Sequence, residues 1–187
     1  MQHQTTVVVS RAARRGRASR SAQRGASLLE AIAYLGIAAI VVIGAVALLN
    51  GAFTSAGTNE LAEQVNAIQA GVKKLYMGQA NGYTSISNSV LSSAGVFPST
   101  IPVSGANANA TNTWGGSVAV TSPSTGTFQI EYQQVPQAVC INTVTAGGSW
   151  ISVQVNGVSA TPPPMTPAAA QGACTSATAN TIDWISS

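Results

Sequence analysis

The most informative shortage in this sequence is charge. Charged residues make up 7% of the 187 residues, and all the arginines lie before Gly25. Beyond that point the chain carries Lys73 and Lys74 against five acidic side chains. The basic overall balance therefore belongs to the N-terminal segment alone. Basic residues beside an apolar run hold that end in the cytoplasm more often than they bind nucleic acid, so no nucleic-acid partner is predicted.

Groups that carry out catalysis are also scarce. The single histidine, His3, lies in the basic N-terminal segment, which leaves the rest of the chain without imidazole for a triad, a general base or a metal. Two cysteines are too few for a zinc site. Glu131 and Asp183 are isolated carboxylates in strand-like segments, where solvation or pairing is the expected role. The sequence therefore predicts a protein that is not an enzyme, with no metal and no cofactor.

The strongest positive feature is an uncharged apolar run from Ala31 to Leu49, which Glu30 and a basic stretch precede. About 20 apolar residues suffice to cross a bilayer as a helix. A carboxylate at the mouth of such a helix is costly in lipid, so it is a functional residue by default. The alternative for Glu30 is a juxtamembrane side chain that reaches the lipid headgroups.

The two cysteines, Cys140 and Cys174, both come late in the chain. If the basic end stays in the cytoplasm, the C-terminal part lies outside, where disulfides persist. A bridge would close a loop of about 35 residues and contribute roughly 3–4 kcal/mol. Two buried free thiols are the alternative.

Hydropathy divides the chain into four segments. Residues 1–25 form the basic segment, and 26–50 an apolar helix. Residues 51–77 continue as an amphipathic helix, because apolar residues recur at spacings of three and four, and no proline occurs from 26 to 77. The apolar stripe comprises Leu61, Val65, Ile68, Val72 and Leu75; the polar faces carry Glu60, Glu63, Gln64, Gln69, Lys73 and Lys74. Residues 78–187 remain for a globular head.

The head reads as an α+β unit. Short helices are predicted at 85–94 and 136–144, and strands at 117–121, 127–133, 150–156 and 181–185. Residues 98–113 and 161–167 are predicted to be loops. The expected fold is thus a long helical spine packed on a small antiparallel sheet, with a C-terminal loop closed by the disulfide. Core and subunit packing is favoured over a sugar-binding surface for the aromatic residues Tyr83, Trp114, Tyr132, Trp150 and Trp184.

The junction Arg24-Gly25-Ala26-Ser27-Leu28-Leu29-Glu30, followed at once by the apolar run, resembles the processing site of type IV prepilins. The resemblance implies cleavage after Gly25 by a membrane prepilin peptidase and N-methylation of the new N-terminus at Ala26. It implies that Glu30 meets the N-terminus of a neighbouring subunit and sets the register of a filament. An unpaired carboxylate in an apolar bundle would be strongly unfavourable, which supports that role.

The long basic segment and the Ala at position 26 are most similar to type IVb pilins, including thin-pilus and bundle-forming pilins. Where the type IVa helix often carries proline, this chain has Ala47. The resemblance implies a major pilin that is held in the bacterial inner membrane and then polymerises into a surface filament. Its implied partners are further copies of itself, the peptidase, the assembly platform and an outer-membrane secretin. A minor pilin or a type II secretion pseudopilin is the alternative, and a secreted binding protein with a signal peptide cut after Ala56 is a remote one.

Overall fold

The computed structural model describes residues 27–187, in which one long helix precedes a mixed head. Helix α1 spans Leu28–Tyr76, and the head begins with α2 at Asn88–Ser93. The first strands are β1 at Val103–Ser104, β2 at Asn109–Thr111, β3 at Ser117–Ser124 and β4 at Thr127–Val135. The remaining elements are α3 at Gln137–Ala146, β5 at Ser152–Val155, β6 at Val158–Thr161, α4 at Pro167–Ala173 and β7 at Asn180–Ser186. This architecture confirms the predicted α+β fold with a long N-terminal helix.

The chain separates into two compact units, with the division after Gly44 inside α1. In the first unit, the described residues 27–44 are helical from Leu28 onward, and most of their side chains are exposed. The second unit, Ala45–Ser187, contains the rest of α1 and the whole head. The proposed segment boundaries at residues 25, 50 and 77 remain predictions.

The sheet of the second unit has seven strands in the order β1-β2-β3-β4-β7-β5-β6, with antiparallel pairing throughout. The C-terminal strand β7 lies between β4 and β5, so the end of the chain completes the middle of the sheet. In β4, Phe128, Ile130 and Tyr132 are buried, and the residues between them are partly exposed. This alternation gives the sheet one apolar face and one polar face.

The core forms where one face of α1 meets the apolar face of the sheet. Leu61, Val65, Ile68 and Val72 are buried in one cluster with Phe128, Ile130, Tyr132, Ile182 and Trp184. These four helix residues confirm the predicted stripe. Leu75, the fifth predicted member, is 37% exposed and was assigned wrongly to the core. It lies one residue before the last residue of α1, where the helix is leaving the sheet.

Gln64 is the other correction on α1, because it is buried rather than on a polar surface face. Its side-chain oxygen accepts a hydrogen bond from the hydroxyl of Tyr132 at 3.3 Å. Its amide nitrogen donates to Glu60 and to Thr100. A buried amide is stable when its hydrogen-bonding groups have partners, and periodicity alone does not reveal those partners.

Glycine permits one close contact between α1 and the head. Gly57 is buried, and a Cβ atom at this position would lie 2.9 Å from Cζ2 of Trp114. The absence of a side chain therefore lets the indole ring of Trp114 rest directly on the helix. The sequence pattern did not predict this packing role of Gly57.

Several short elements were not predicted from the sequence. Strands β1 and β2 fall within the predicted loop 98–113, and β6 follows β5 through Asn156-Gly157. Both residues have positive φ, 52° and 75°, as the tight turn of a two-residue hairpin requires. Helix α4 begins with Pro167, and the hydroxyl of Thr166 accepts a hydrogen bond from the backbone of Ala169. These two turn and cap signals are present in the sequence and were missed.

The Cys140–Cys174 disulfide is present and joins α3 to the residue that ends α4. Both cysteines are fully buried, and their Cα atoms are 6.1 Å apart. The bridge therefore ties the segment before β5 to the segment before β7. It confirms the predicted C-terminal closure.

Replacing both cysteines by serine is expected to lower the free energy of unfolding by about 2–4 kcal/mol, because the reduced chain regains the loop entropy that the bridge removes. Urea unfolding of the variant and of the unreduced protein measures this difference. Addition of a reductant to the wild type should approach the same value. An unchanged unfolding midpoint would show that the loop is already ordered by its hydrogen bonds.

Candidate assembly site

The N-terminal turn of α1 is organised by Ser27. Its hydroxyl oxygen accepts a hydrogen bond from the backbone N–H of Glu30 at 3.2 Å, and its carbonyl accepts from Ala31. Ser27 is thus the N-cap residue, and Glu30 is the third residue of the helix. A serine followed three residues later by glutamate is a known helix-start signal, which the sequence interpretation missed.

Glu30 is exposed in the described chain. Its place in the first turn puts the carboxylate near the positive end of the helix dipole, which stabilises a negative charge there by about 0.3–1 kcal/mol. In the sequence, Glu30 is four residues after Ala26, the residue that a cut after Gly25 would leave as the N-terminus. Gly25 and Ala26, the predicted cleavage and methylation residues, lie outside the described residues.

The residues on both sides of Glu30 expose apolar side chains. Leu28 and Leu29 are each 80% exposed, and an 18-residue window of α1 has a mean hydropathy of 2.7 with none of its residues buried. By length and composition this part of α1 is able to cross a membrane. Its exposed apolar side chains include Ile32, Leu35, Ile37, Ile40, Val41, Val42, Ile43, Val46, Leu48, Leu49 and Phe53.

The polar face of the sheet holds both acidic side chains of the head. Glu131 on β4 and Asp183 on β7 are directly opposite in the strand register. Asp183 is 7% exposed and accepts a hydrogen bond from Gln129 at 2.9 Å, whereas Glu131 accepts from Gln133. No lysine, arginine or histidine occurs from residue 75 to 187, so no cation of the head balances this pair.

Burial and the neighbouring Glu131 carboxylate raise the pKa of Asp183 from its ordinary value of 3.8 to about 6, and the Gln129 hydrogen bond opposes that shift. Burial is the largest cause. Tyr132, on the opposite face, also has a raised pKa because its hydroxyl is buried and Glu60 lies nearby. Glu131 and Asp183, each predicted to be solvated or paired, thus face one another as like charges.

The aromatic residues named in the sequence serve mainly as core. Tyr132 and Trp184 are buried and meet edge to face, with ring centroids 5.8 Å apart. Tyr83 packs on Phe128 at 4.9 Å, and Trp150 lies 6.3 Å from Trp184. This burial favours the packing role over a sugar-binding surface. Within residues 27–187, moreover, no group of three or more His, Cys, Asp or Glu side chains is placed to hold a metal.

Two side-chain amides at the margins of the sheet stabilise it by hydrogen bonds to backbone groups. The sequence interpretation missed both. Asn88 donates to the carbonyl of Val118 and accepts from the backbone of Val120, so its amide continues the pairing along β3. Asn180 donates to Val135 and Ser176, and its oxygen accepts from Asn156. The sequence carries no specific signal for these contacts, because the partner backbone groups come together only on folding.

The fold and the exposed apolar helix define a pilin-like class of protein. A family model described as PilS N terminal matches residues 55–187, so the chain belongs to the PilS N-terminal family. The type IV pilin resemblance seen at the junction is supported at this family level, and membership indicates a structural subunit that associates with copies of itself.

Among solved structures, this chain is similar to the crystal structure of TcpA, a type IV pilin from Vibrio cholerae El Tor biotype. The match has 14% sequence identity and a TM-score of 0.49, and it covers 70% of this chain and 99% of the other. Such a distant similarity supports no argument about function. No curated protein matches the sequence.

Asp183 gives the head a specific pH dependence. Because its folded pKa of about 6 exceeds the ordinary 3.8, the native state binds more protons than the unfolded state between these values. The free energy of unfolding should therefore fall by about 1–3 kcal/mol as the pH rises from 4 to 6, and this cost persists above pH 6. Asp183→Asn should be more stable than wild type at pH 7 and nearly equal at pH 4.

Thermal or urea unfolding at a series of pH values tests this dependence. Glu131→Gln is the matched control: it removes the smaller cause of the shift and should give a smaller gain at pH 7. A less stable Asp183→Asn protein at pH 7 would show that the ionised carboxylate stabilises the native head.

Proposed function

We propose that this protein is the major subunit of a type IVb-like pilus. The precursor lies in the bacterial inner membrane and is cut after Gly25. The mature chain then polymerises through α1 into a filament on the cell surface, where it serves adhesion, aggregation or conjugation. Membership in the PilS N-terminal family supports a pilin role. The observation that carries the assembly mechanism is the exposed Glu30 at the first turn of an exposed apolar helix.

Glu30 supplies the directional contact in an otherwise non-directional helix surface. Apolar side chains cover the segment that follows it, and such contacts tolerate many axial positions of two helices. The carboxylate is stabilised only where a positive group lies beside it, and the N-terminal amine at Ala26 of a neighbouring copy is that group. A subunit in the wrong register leaves the carboxylate unpaired at a cost of several kcal/mol. Glu30 thereby sets the register of the filament.

Processing, assembly and export of the subunit require three further proteins. A prepilin peptidase cuts the Gly25–Ala26 bond and N-methylates Ala26. An assembly platform in the inner membrane extracts the subunits, and an outer-membrane secretin passes the filament. The chain itself needs no cofactor for these steps.

The intact mass and N-terminal sequence of the protein from its native host test the processing step. A chain that begins at Ala26, with or without a methyl group, supports prepilin processing. A chain that begins at Gly57 would instead identify the apolar run as a discarded signal and a secreted monomer as the product. High abundance in sheared surface fractions distinguishes a major subunit from a minor pilin or pseudopilin.

Glu30→Ala is expected to leave cleavage and membrane insertion intact and to reduce filament yield by at least tenfold. The variant leaves the N-terminal amine of the neighbouring subunit unpaired in an apolar bundle, and the cost of several kcal/mol exceeds the 1.4 kcal/mol that a factor of ten requires. The measurement is the amount of sheared filament relative to membrane-bound subunit, in cells without wild-type protein.

Ser27→Ala is the matched control for this variant. It removes the N-cap hydrogen bond that helps form the helix but leaves the carboxylate in place, so filaments should persist. Equal losses in both variants would assign Glu30 a role in helix capping. Wild-type yield from Glu30→Ala would contradict the register mechanism.

A further inference from the structure

The part of α1 that packs on the head also has an exposed face, on the side away from the sheet. Glu63 and Lys74 are exposed on this face and are separated by 11 residues. Eleven residues correspond to three helical turns plus about 20°, so the two side chains lie almost in line along the helix. Their separation of about 16 Å along the axis is too large for a contact within one copy.

Small residues occupy this face between the two charges. Ala67 and Ala70 are exposed, and Gly71 is partly exposed. Small side chains allow a second helix to approach closely, because the distance between packed helices depends on the residues at the contact. We call the surface formed by Glu63, Ala67, Ala70, Gly71 and Lys74 the outer stripe of α1.

A groove of about 450 Å³ runs beside the Lys74 end of the outer stripe. Ala67, Gly71, Lys74 and Leu75 line one side, and residues 94–96 line the other. A Cβ atom at Gly71 would lie 2.6 Å from Cγ1 of Val96, so the glycine sets the position of this wall. The groove therefore combines an apolar floor, the partly exposed Leu75 and one cation.

The distribution of charge on α1 indicates that a second copy of this chain binds beside the groove. Lys73 and Lys74 are the only cationic side chains after Arg24, and every other charge in that part of the chain is acidic. Glu63 is accordingly ten or more residues from any cation on its helix, and its own end of the outer stripe is uncompensated. A second copy carries the missing partner for each end.

We propose that the outer stripe is a head-level contact between copies, in which Glu63 of one subunit pairs with Lys74 of the next. The two α1 helices run parallel and are displaced by about 16 Å along the axis, which is 11 residues at 1.5 Å each. This inference rests on the proposed function. If all copies enter the filament from one membrane in the same orientation, their α1 helices must run parallel. Lys74 of the first copy and Glu63 of the second remain free for further copies that approach from the flanks of the outer stripe, and such a heterologous contact extends without closing.

Charge exchange tests the pairing. Glu63→Lys and Lys74→Glu should each reduce sheared filament yield roughly tenfold, because each places like charges together across the contact. The double variant Glu63→Lys/Lys74→Glu restores the opposite charges and should recover most of the wild-type yield. If the double variant is no better than the single variants while wild type forms filaments, the pairing is wrong.

Lys73→Glu is the matched control. It makes the same charge change at the adjacent residue, which is partly buried and lies about 100° around the helix from Lys74. It should form filaments, and combining it with Glu63→Lys should not rescue yield. Equal loss in Lys73→Glu and Lys74→Glu would show that net charge matters and the outer stripe does not.

Cysteine crosslinking tests the contact between Glu63 and Lys74 separately from the proposal that the protein forms filaments. The native cysteines are joined to each other, so Glu63→Cys/Lys74→Cys adds the only free thiols among residues 27–187. Oxidised filaments of this variant should give a ladder of dimers, trimers and larger species on a non-reducing gel. Dimers alone would indicate a closed antiparallel pair and overturn the proposal, as would filaments without crosslinks. Absence of filaments from wild-type protein would instead contradict the proposed function.

Discussion

The burial of one face of α1 against the sheet is the constraint on which the rest of this protein depends. Leu61, Val65, Ile68 and Val72 are almost completely removed from solvent by this contact. Each such side chain contributes about 1.5–3 kcal/mol by leaving water, so the contact outweighs any single hydrogen bond in the head. It also decides which side chains lie away from the core: the outer stripe of α1 on one side of the second unit, and the polar sheet face with Glu131 and Asp183 on the other.

Periodicity predicted this contact well, because the stripe on α1 and the alternation in β4 both follow from geometry that every helix and strand shares. The four predicted strands correspond to β3, β4, β5 and β7, and the two predicted short helices to α2 and α3. Gln64 and Leu75 show the limit of the method. A polar residue enters the core when a distant Tyr132 supplies its partner, and an apolar residue leaves the core where the helix passes the edge of the sheet.

Some features of the candidate assembly site and of the head surface could likewise be predicted from the sequence, and others could not. The apolar run and Glu30 are visible in the sequence because a carboxylate beside a membrane-length run is rare. The N-cap role of Ser27 was also within reach, through the spacing of serine and glutamate. By contrast, Glu131 and Asp183 lie opposite each other only because β7 inserts between β4 and β5. No local sequence pattern predicts that strand order. The groove beside Lys74 likewise requires α1 and residues 94–96 to be brought together.

The scarcity of charge has a consequence for how the protein responds to its surroundings. From residue 75 to 187 the head is stabilised mainly by neutral amides, hydroxyls and apolar contacts, because Glu131 and Asp183 are its only charged side chains and it has no cationic one. Dissolved salt weakens interactions between exposed charges, with a screening length of about 10 Å at 0.1 M, but it has little effect on neutral hydrogen bonds. Folding of the head should therefore depend on ionic strength mainly through the contact between Glu131 and Asp183. Contacts between copies that use the few charges on α1 remain sensitive to it, so the salinity of the medium acts on assembly while leaving each subunit intact.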